Sequence, residues 1–116
     1  MGKTIIKSSQ PSYKTIYIVN YTTGAANTWA LGVASVTIPS DGLYWIRARY
    51  NNSPVYGVAY GLTTATVITH CIILKENPTA TGIDDIFWIP AGTYSFWFKC
   101  STASVQNALV VNQLIF

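Results

Sequence analysis

Apolar and polar residues alternate along most of this chain in short runs of period two, and no segment repeats its apolar positions with helical spacing. Residues 13–21 place Ile16, Ile18 and Lys14 on one face of a predicted strand and Tyr17, Val19 and Tyr21 on the other. A turn cluster at 22–27 follows, then strands at 29–33 and 34–38. In 43–50, Tyr44, Ile46 and Ala48 share one face while Trp45, Arg47 and Arg49 share the other, and four turn formers, Asn51-Asn52-Ser53-Pro54, end it. Strands are expected at 55–60, closed by Gly61, and along the β-branched run 66–74, with a loop continuing to Gly82. Three more follow at 83–89, 94–100 and 108–116. Eight or nine strands at this spacing, with turn signals between them, predict one all-β domain over 13–116: an antiparallel sandwich or barrel behind a short polar arm, residues 1–12.

One element occurs twice. Ile38-Pro39-Ser40-Asp41-Gly42-Leu43-Tyr44-Trp45-Ile46-Arg47 is matched by Ile89-Pro90-Ala91-Gly92-Thr93-Tyr94-Ser95-Phe96-Trp97-Phe98-Lys99. In each copy Pro removes a backbone donor and stops a strand, Gly is free to take positive φ, and Tyr leads an aromatic strand. Each copy is therefore a corner between two strands. After the second corner, Tyr94, Phe96 and Phe98 are apolar on one face, yet Trp97 stands on the other. A strand apolar on both faces needs cover on both, and a second copy of the chain is the expected cover for Trp97.

Composition sharpens this picture. Charged residues are 9% of 116 and hydrophobic ones 50%, a balance that excludes disorder and leaves a lone subunit poorly protected against association. The net charge is +3, but Lys3, Lys7 and Lys14 cluster at the start and Arg47, Arg49, Lys75 and Lys99 are scattered, so no phosphate-tracking stripe forms and nucleic acid is not an expected partner. No run approaches a membrane span, and the first residues lack the pattern of a secretory signal. Cys71 and Cys100 have no metal-ligand spacing and are expected as reduced thiols, a disulfide being the alternative.

Catalytic chemistry is sparse. His70 is expected as a structural histidine within a strand, Asp41 as a turn residue, and Asp84 and Asp85, being adjacent, face apart. No catalytic residue, metal site or cofactor is assigned, and the chain is expected to be non-enzymatic. Tyr50, Asn51, Asn52 and Tyr56 around one loop, with Trp29 in another, form a candidate ligand site, because flat rings beside amides suit sugars and adaptable polar contacts. The competing possibility is that these rings are core and the Asn pair makes a turn.

Residues 37–46 resemble the "P-x-x-G-x-Y-x-hydrophobic" strand of jelly rolls in tumour-necrosis-factor-like and complement globular-head-like domains, and in many phage fibre and spike tips. Residues 89–96 are similar to a later strand of those domains, and Val110-Val111-Asn112-Gln113-Leu114-Ile115-Phe116 to their closing strand. The resemblance implies a single jelly-roll sandwich that forms a homotrimer, with Tyr44, Tyr94, Phe96 and Phe116 at the subunit contact beside Trp97. Without a collagen-like stalk or a carboxylate-rich calcium set, it points to a phage virion protein assembled in the host cytoplasm: a receptor-binding fibre tip or a capsid decoration knob. Its partners would be itself, other virion proteins through the arm, and a host-surface glycan or protein. A carbohydrate-binding lectin and a secreted tumour-necrosis-type ligand are the alternatives.

Overall fold

The computed structural model describes residues 12–48, 55–79 and 82–116. Among them run eight strands: β1 (Ser12–Thr22), β2 (Ala30–Ile38), β3 (Gly42–Ala48), β4 (Val55–Leu62), β5 (Ile72–Glu76), β6 (Ile83–Ile89), β7 (Gly92–Cys100) and β8 (Gln106–Ile115). They form two four-stranded antiparallel sheets, the first ordered β1-β8-β3-β6 and the second β2-β7-β4-β5. This order in a two-sheet sandwich is consistent with a jelly roll. The closing strand β8 lies between β1 and β3, which removes the hazard of an apolar strand at an open edge.

Both Ile-Pro corners carry the chain from one sheet to the other, β2 to β3 and β6 to β7. The tyrosine common to the two copies explains their likeness. The Tyr44 hydroxyl donates to the Ser40 carbonyl at 2.5 Å, and the Tyr94 hydroxyl to the Pro90 carbonyl at 2.9 Å, so each ring points into the core while its hydroxyl ties down its own corner. The corners are also tied to each other, because the Asp41 carboxylate accepts the Ala91 N–H at 2.7 Å. Their glycines differ. Gly92 has φ +154°, and a Cβ there would meet the Tyr94 hydroxyl at 2.7 Å; Gly42 has no positive φ and open space around it.

Inward-facing residues of both sheets make the core, with Val36, Ile38, Tyr44, Ile46, Phe96, Phe98, Leu109 and Val111 fully buried. Tyr21 stacks on Phe98 at 4.2 Å between ring centres, and Tyr60 meets Tyr94 edge-on at 4.8 Å. Between the edge strands β5 and β6, the Lys75 ammonium reaches the Asp85 carboxylate at 2.5 Å and so ties one sheet to the other.

The structure departs from the pattern-based expectation in three places. Residues 29–33 and 34–38 belong to one strand, β2, whose pairing with β7 shifts register twice; the interruption in alternation is a bulge, not a turn. A bulge between Thr15 and Tyr17 likewise moves Ile16 toward the core with Tyr17 and Val19, leaving Ile18 outside. The run 66–74 is not one strand. It contains a 3-10 turn, Ile68–His70, closed by Cys71 N–H to the Ile68 carbonyl, before β5 begins. Strand propensity yields there because the chain must reverse from β4 into its neighbour β5. His70 consequently lies exposed on a turn rather than inside a strand.

The outer face of the second sheet decides how this subunit covers itself. On that face β4 carries Gly57, Ala59 and Gly61 opposite Lys99, Trp97 and Ser95 of β7. A Cβ at Gly57 would stand 2.8 Å from the Trp29 ring, and one at Gly61 2.7 Å from Cys71 Sγ and 3.3 Å from Ala65. β4 is thus stripped of side chains so that Trp29 and the segment before β5 can lie on the sheet. Trp97 is only 7% exposed as a result; its indole N–H donates to Ser95 Oγ at 3.0 Å, and that hydroxyl reaches the Leu62 carbonyl. The expectation that Trp97 needs a sister molecule to cover it is corrected here, since its own chain does so.

Candidate assembly and binding face

Among the described residues the first sheet has no such cover. Its register stacks outward-facing residues in rows across β1, β8, β3 and β6: Ile18, Val110, Arg47, Asp84; then Thr15, Asn112, Trp45, Ile86; then Tyr13, Leu114, Leu43, Trp88. Ile18 is 68% exposed, Ile86 55% and Trp88 60%, with Tyr13 and Leu43 also exposed. The sequence supplies this by making β6 apolar at every position from Ile86 to Ile89, so that whichever face Phe87 and Ile89 give to the core, Ile86 and Trp88 remain outside.

Within the face, Tyr13 and Trp45 meet edge-on at 5.1 Å between ring centres. They come from strands that flank β8, so the two rings bridge it. Asn112 beneath them is 2% exposed; it accepts from Thr15 Oγ1 at 2.6 Å and donates to the Trp45 carbonyl at 3.3 Å. The face's charges among the described residues neutralise each other: Arg47 lies 3.7 Å from Asp84 and 5.3 Å from the Trp45 ring centre, and the Trp45 N–H donates to Asp84 at 2.5 Å. What remains among the described residues of the face is an apolar, aromatic surface.

Where this face ends, at the start of β3 and the end of β8, a groove of about 290 Å³ opens among Trp88, Leu43, Phe116, Gln113, Ser40 and Asp41. Phe116 is 79% exposed. Gln113 Nε2 donates to Ser40 Oγ at 3.1 Å, and Asp41 uses one oxygen on Ala91, its other having no partner among the described residues.

The residues singled out from sequence divide sharply. Tyr44, Tyr94 and Phe96 are buried in the core of a single chain, and Trp97 is buried within the same chain, so their side chains offer no surface to a second subunit. Phe116 alone of that set is exposed. Trp29 and Tyr56 do come together: the Lys99 ammonium lies 5.9 Å from each ring centre, Tyr56 donates to Asn27 at 2.9 Å, and Lys99 pairs with Glu76 at 2.7 Å. The Glu76 hydrogen bond holds the Lys99 ammonium above its ordinary pKa. Tyr56 is buried, however, and its hydroxyl is already bonded, so this cluster is closed on itself. Tyr50, Asn51 and Asn52 lie outside the described residues. Sequence reasoning missed Tyr13, Ile18, Leu43, Ile86 and Trp88. The test it applied to Tyr94–Phe98, apolar side chains on both faces, would have found Ile86 and Trp88 had it been applied to 83–89.

All four carboxylates of the chain have structural roles: Asp41 between the corners, Asp84 with Arg47 and Trp45, Asp85 with Lys75, and Glu76 with Lys99. Burial pushes the Cys71 thiol up, away from the thiolate a nucleophile needs, and both cysteines are free. Among the described residues no three His, Cys, Asp or Glu side chains gather as a metal site, and no helix is long and apolar enough to cross a membrane.

No family model and no curated protein matches the chain. Among solved structures, the carbohydrate-binding module of Cellvibrio mixtus lichenase 5A, in complex with cellotriose, is similar at 17% identity with a TM-score of 0.42, over 89% of this chain and 91% of that one.

Proposed function

We propose that this chain is a non-enzymatic assembly protein that forms a homotrimer through the outer face of its first sheet, and that it serves in a phage particle as a fibre tip or decoration knob. The observation that carries the assembly is the uncovered face around Ile18, Tyr13, Trp45 and Ile86. Exposed apolar area of this extent marks an interaction surface. The second sheet differs at its centre, where Trp97 is buried and Trp29 lies on Gly57, although Leu31 and Ile73 stay half-exposed toward its edges. The non-catalytic role is supported by carboxylates that are all engaged in the fold and by a histidine left alone on an exposed turn. The virion setting is supported by the likeness of the two corner motifs to phage fibre and spike jelly rolls. Three identical sites on one rigid body would then bind a surface by avidity.

Sedimentation velocity tests the assembly: a species of three 12.7 kDa subunits is expected. A monomer at micromolar concentration would refute it. Co-purification with phage particles, lost when residues 1–12 are deleted, tests the virion role.

A further inference from the structure

We propose, building on that assembly, that the groove between Trp88 and Phe116 is a glycan-binding site that takes one or two pyranose rings of a neutral polysaccharide. Its walls fit that chemistry. A pyranose has an apolar face of C–H groups and a rim of hydroxyls. Trp88 and Phe116 are flat, exposed rings, 60% and 79% accessible, on which such a face stacks. Hydroxyls need paired donors and acceptors placed at the edge of the ring. Gln113 supplies an amide, held against Ser40 Oγ at 3.1 Å, and Asp41 supplies a carboxylate oxygen that no described residue engages.

These polar groups sit on rigid backbone. Asp41 is locked by Ala91 of the opposite corner, Ser40 has its carbonyl bonded by Tyr44, and Gln113 belongs to a central strand. A site held this way loses little ordering entropy on binding. The volume, about 290 Å³, is at the small end of ligand sites, which run from roughly 300 to 1,000 Å³ and hold drug-sized molecules, so one or two rings fill it. The groove has no cation among its lining residues, which favours a neutral sugar over an acidic one. A subunit contact is the competing occupant. It is disfavoured because the polar groups of the groove would be stripped of water against an apolar neighbour. At the centre of the face the polar groups, Arg47, Asp84 and the Trp45 N–H, are already paired with one another, so covering them costs less than covering the open oxygen of Asp41.

The test uses the full chain on an array of neutral oligosaccharides, covering glucans, galactans, mannans and xylans, followed by titration calorimetry on those retained. Wild type is expected to bind at least one of them. Trp88→Ala should weaken that binding about tenfold or more, and Gln113→Ala should weaken it several-fold as a trimer of unchanged mass. The proposal is overturned if no neutral glycan binds, if Trp88→Ala binds as wild type does, or if Trp88→Ala loses the trimer, which would make the groove part of the subunit contact. A monomeric wild type with Trp88-dependent glycan binding would keep this site and refute the assembly instead.

Discussion

Ile86→Asp is the sharpest test of the assembly face. The residue is on edge strand β6 at the middle row of the face, 55% exposed in a single chain, and its backbone pairs with Trp45. Fully burying an Ile is worth roughly 1.5–3 kcal/mol, so the exposed half contributes about 1–1.5 kcal/mol when a neighbour covers it. A carboxylate put there must also lose its water, which costs several kcal/mol per ion in real proteins. Three copies act together, so the trimer should lose on the order of 10 kcal/mol. A micromolar association is worth about 8 kcal/mol per step and a trimer takes two, so a loss of this size moves assembly from the micromolar to roughly the millimolar range. The isolated subunit should lose only about 1 kcal/mol, the worth of the half of Ile86 that its own chain covers, and stay folded. Sedimentation velocity should therefore report monomer, and circular dichroism a folded sandwich with wild-type secondary structure. Trp97→Asp is the control with the opposite signature. Trp97 is buried within its own subunit and bonded to Ser95, so this change should unfold the chain rather than dissociate it. An Ile86→Asp protein that remains trimeric, or a Trp97→Asp protein that is a folded monomer, would refute the assignment of the two faces.

Two further outcomes follow from the corners and the core. Tyr94→Phe removes the hydroxyl that bonds the Pro90 carbonyl and should cost about 0.5–1.5 kcal/mol, read as a fall of several degrees in Tm with no change in subunit mass; an unchanged Tm would show that the corner holds without it. Burial, and secondarily Cys100, raises the Tyr21 pKa far above its ordinary value of 10, and its hydroxyl has no partner among the described residues. The unfolded chain thus gives up this proton first, so stability is present below the ordinary tyrosine range and declines as pH rises through about 10. Tyr21→Phe should match or exceed wild-type stability at neutral pH and move alkaline unfolding upward, measured by urea titration at pH 8 and 11. An unchanged alkaline profile would show that Tyr21 does not titrate in this way.

Much of the architecture is legible in the residues, because period-two alternation and Ile-Pro stops are local properties. Tyr44, Ile46 and Ala48 had to share a face whatever lay above them, and the core accepts all three. The two Ile-Pro-to-Tyr copies announce two corners, and corners they are, though a motif cannot disclose that Asp41 of one fastens Ala91 of the other fifty residues away. Local pattern failed where tertiary packing outbid it. The 66–74 run has every mark of a strand, yet the reversal between β4 and β5 turns its middle into a 3-10 turn. Bulges in β1 and β2 shift which residues face inward without leaving any trace in composition.

By itself the sequence determined an all-β architecture, with more apolar surface than one core can absorb and too little charge to mask it. Which apolar side chains stay wet was decided only in three dimensions. Alternation tells that Trp97 and Trp88 both point away from the core, but not that Gly57, Ala59 and Gly61 clear a bed on one sheet for the chain's own rings, while on the other sheet no described residue returns to cover Ile18, Ile86 and Trp88. Cover depends on which distant segment crosses which face. That is a property of the strand order, and no residue carries it alone.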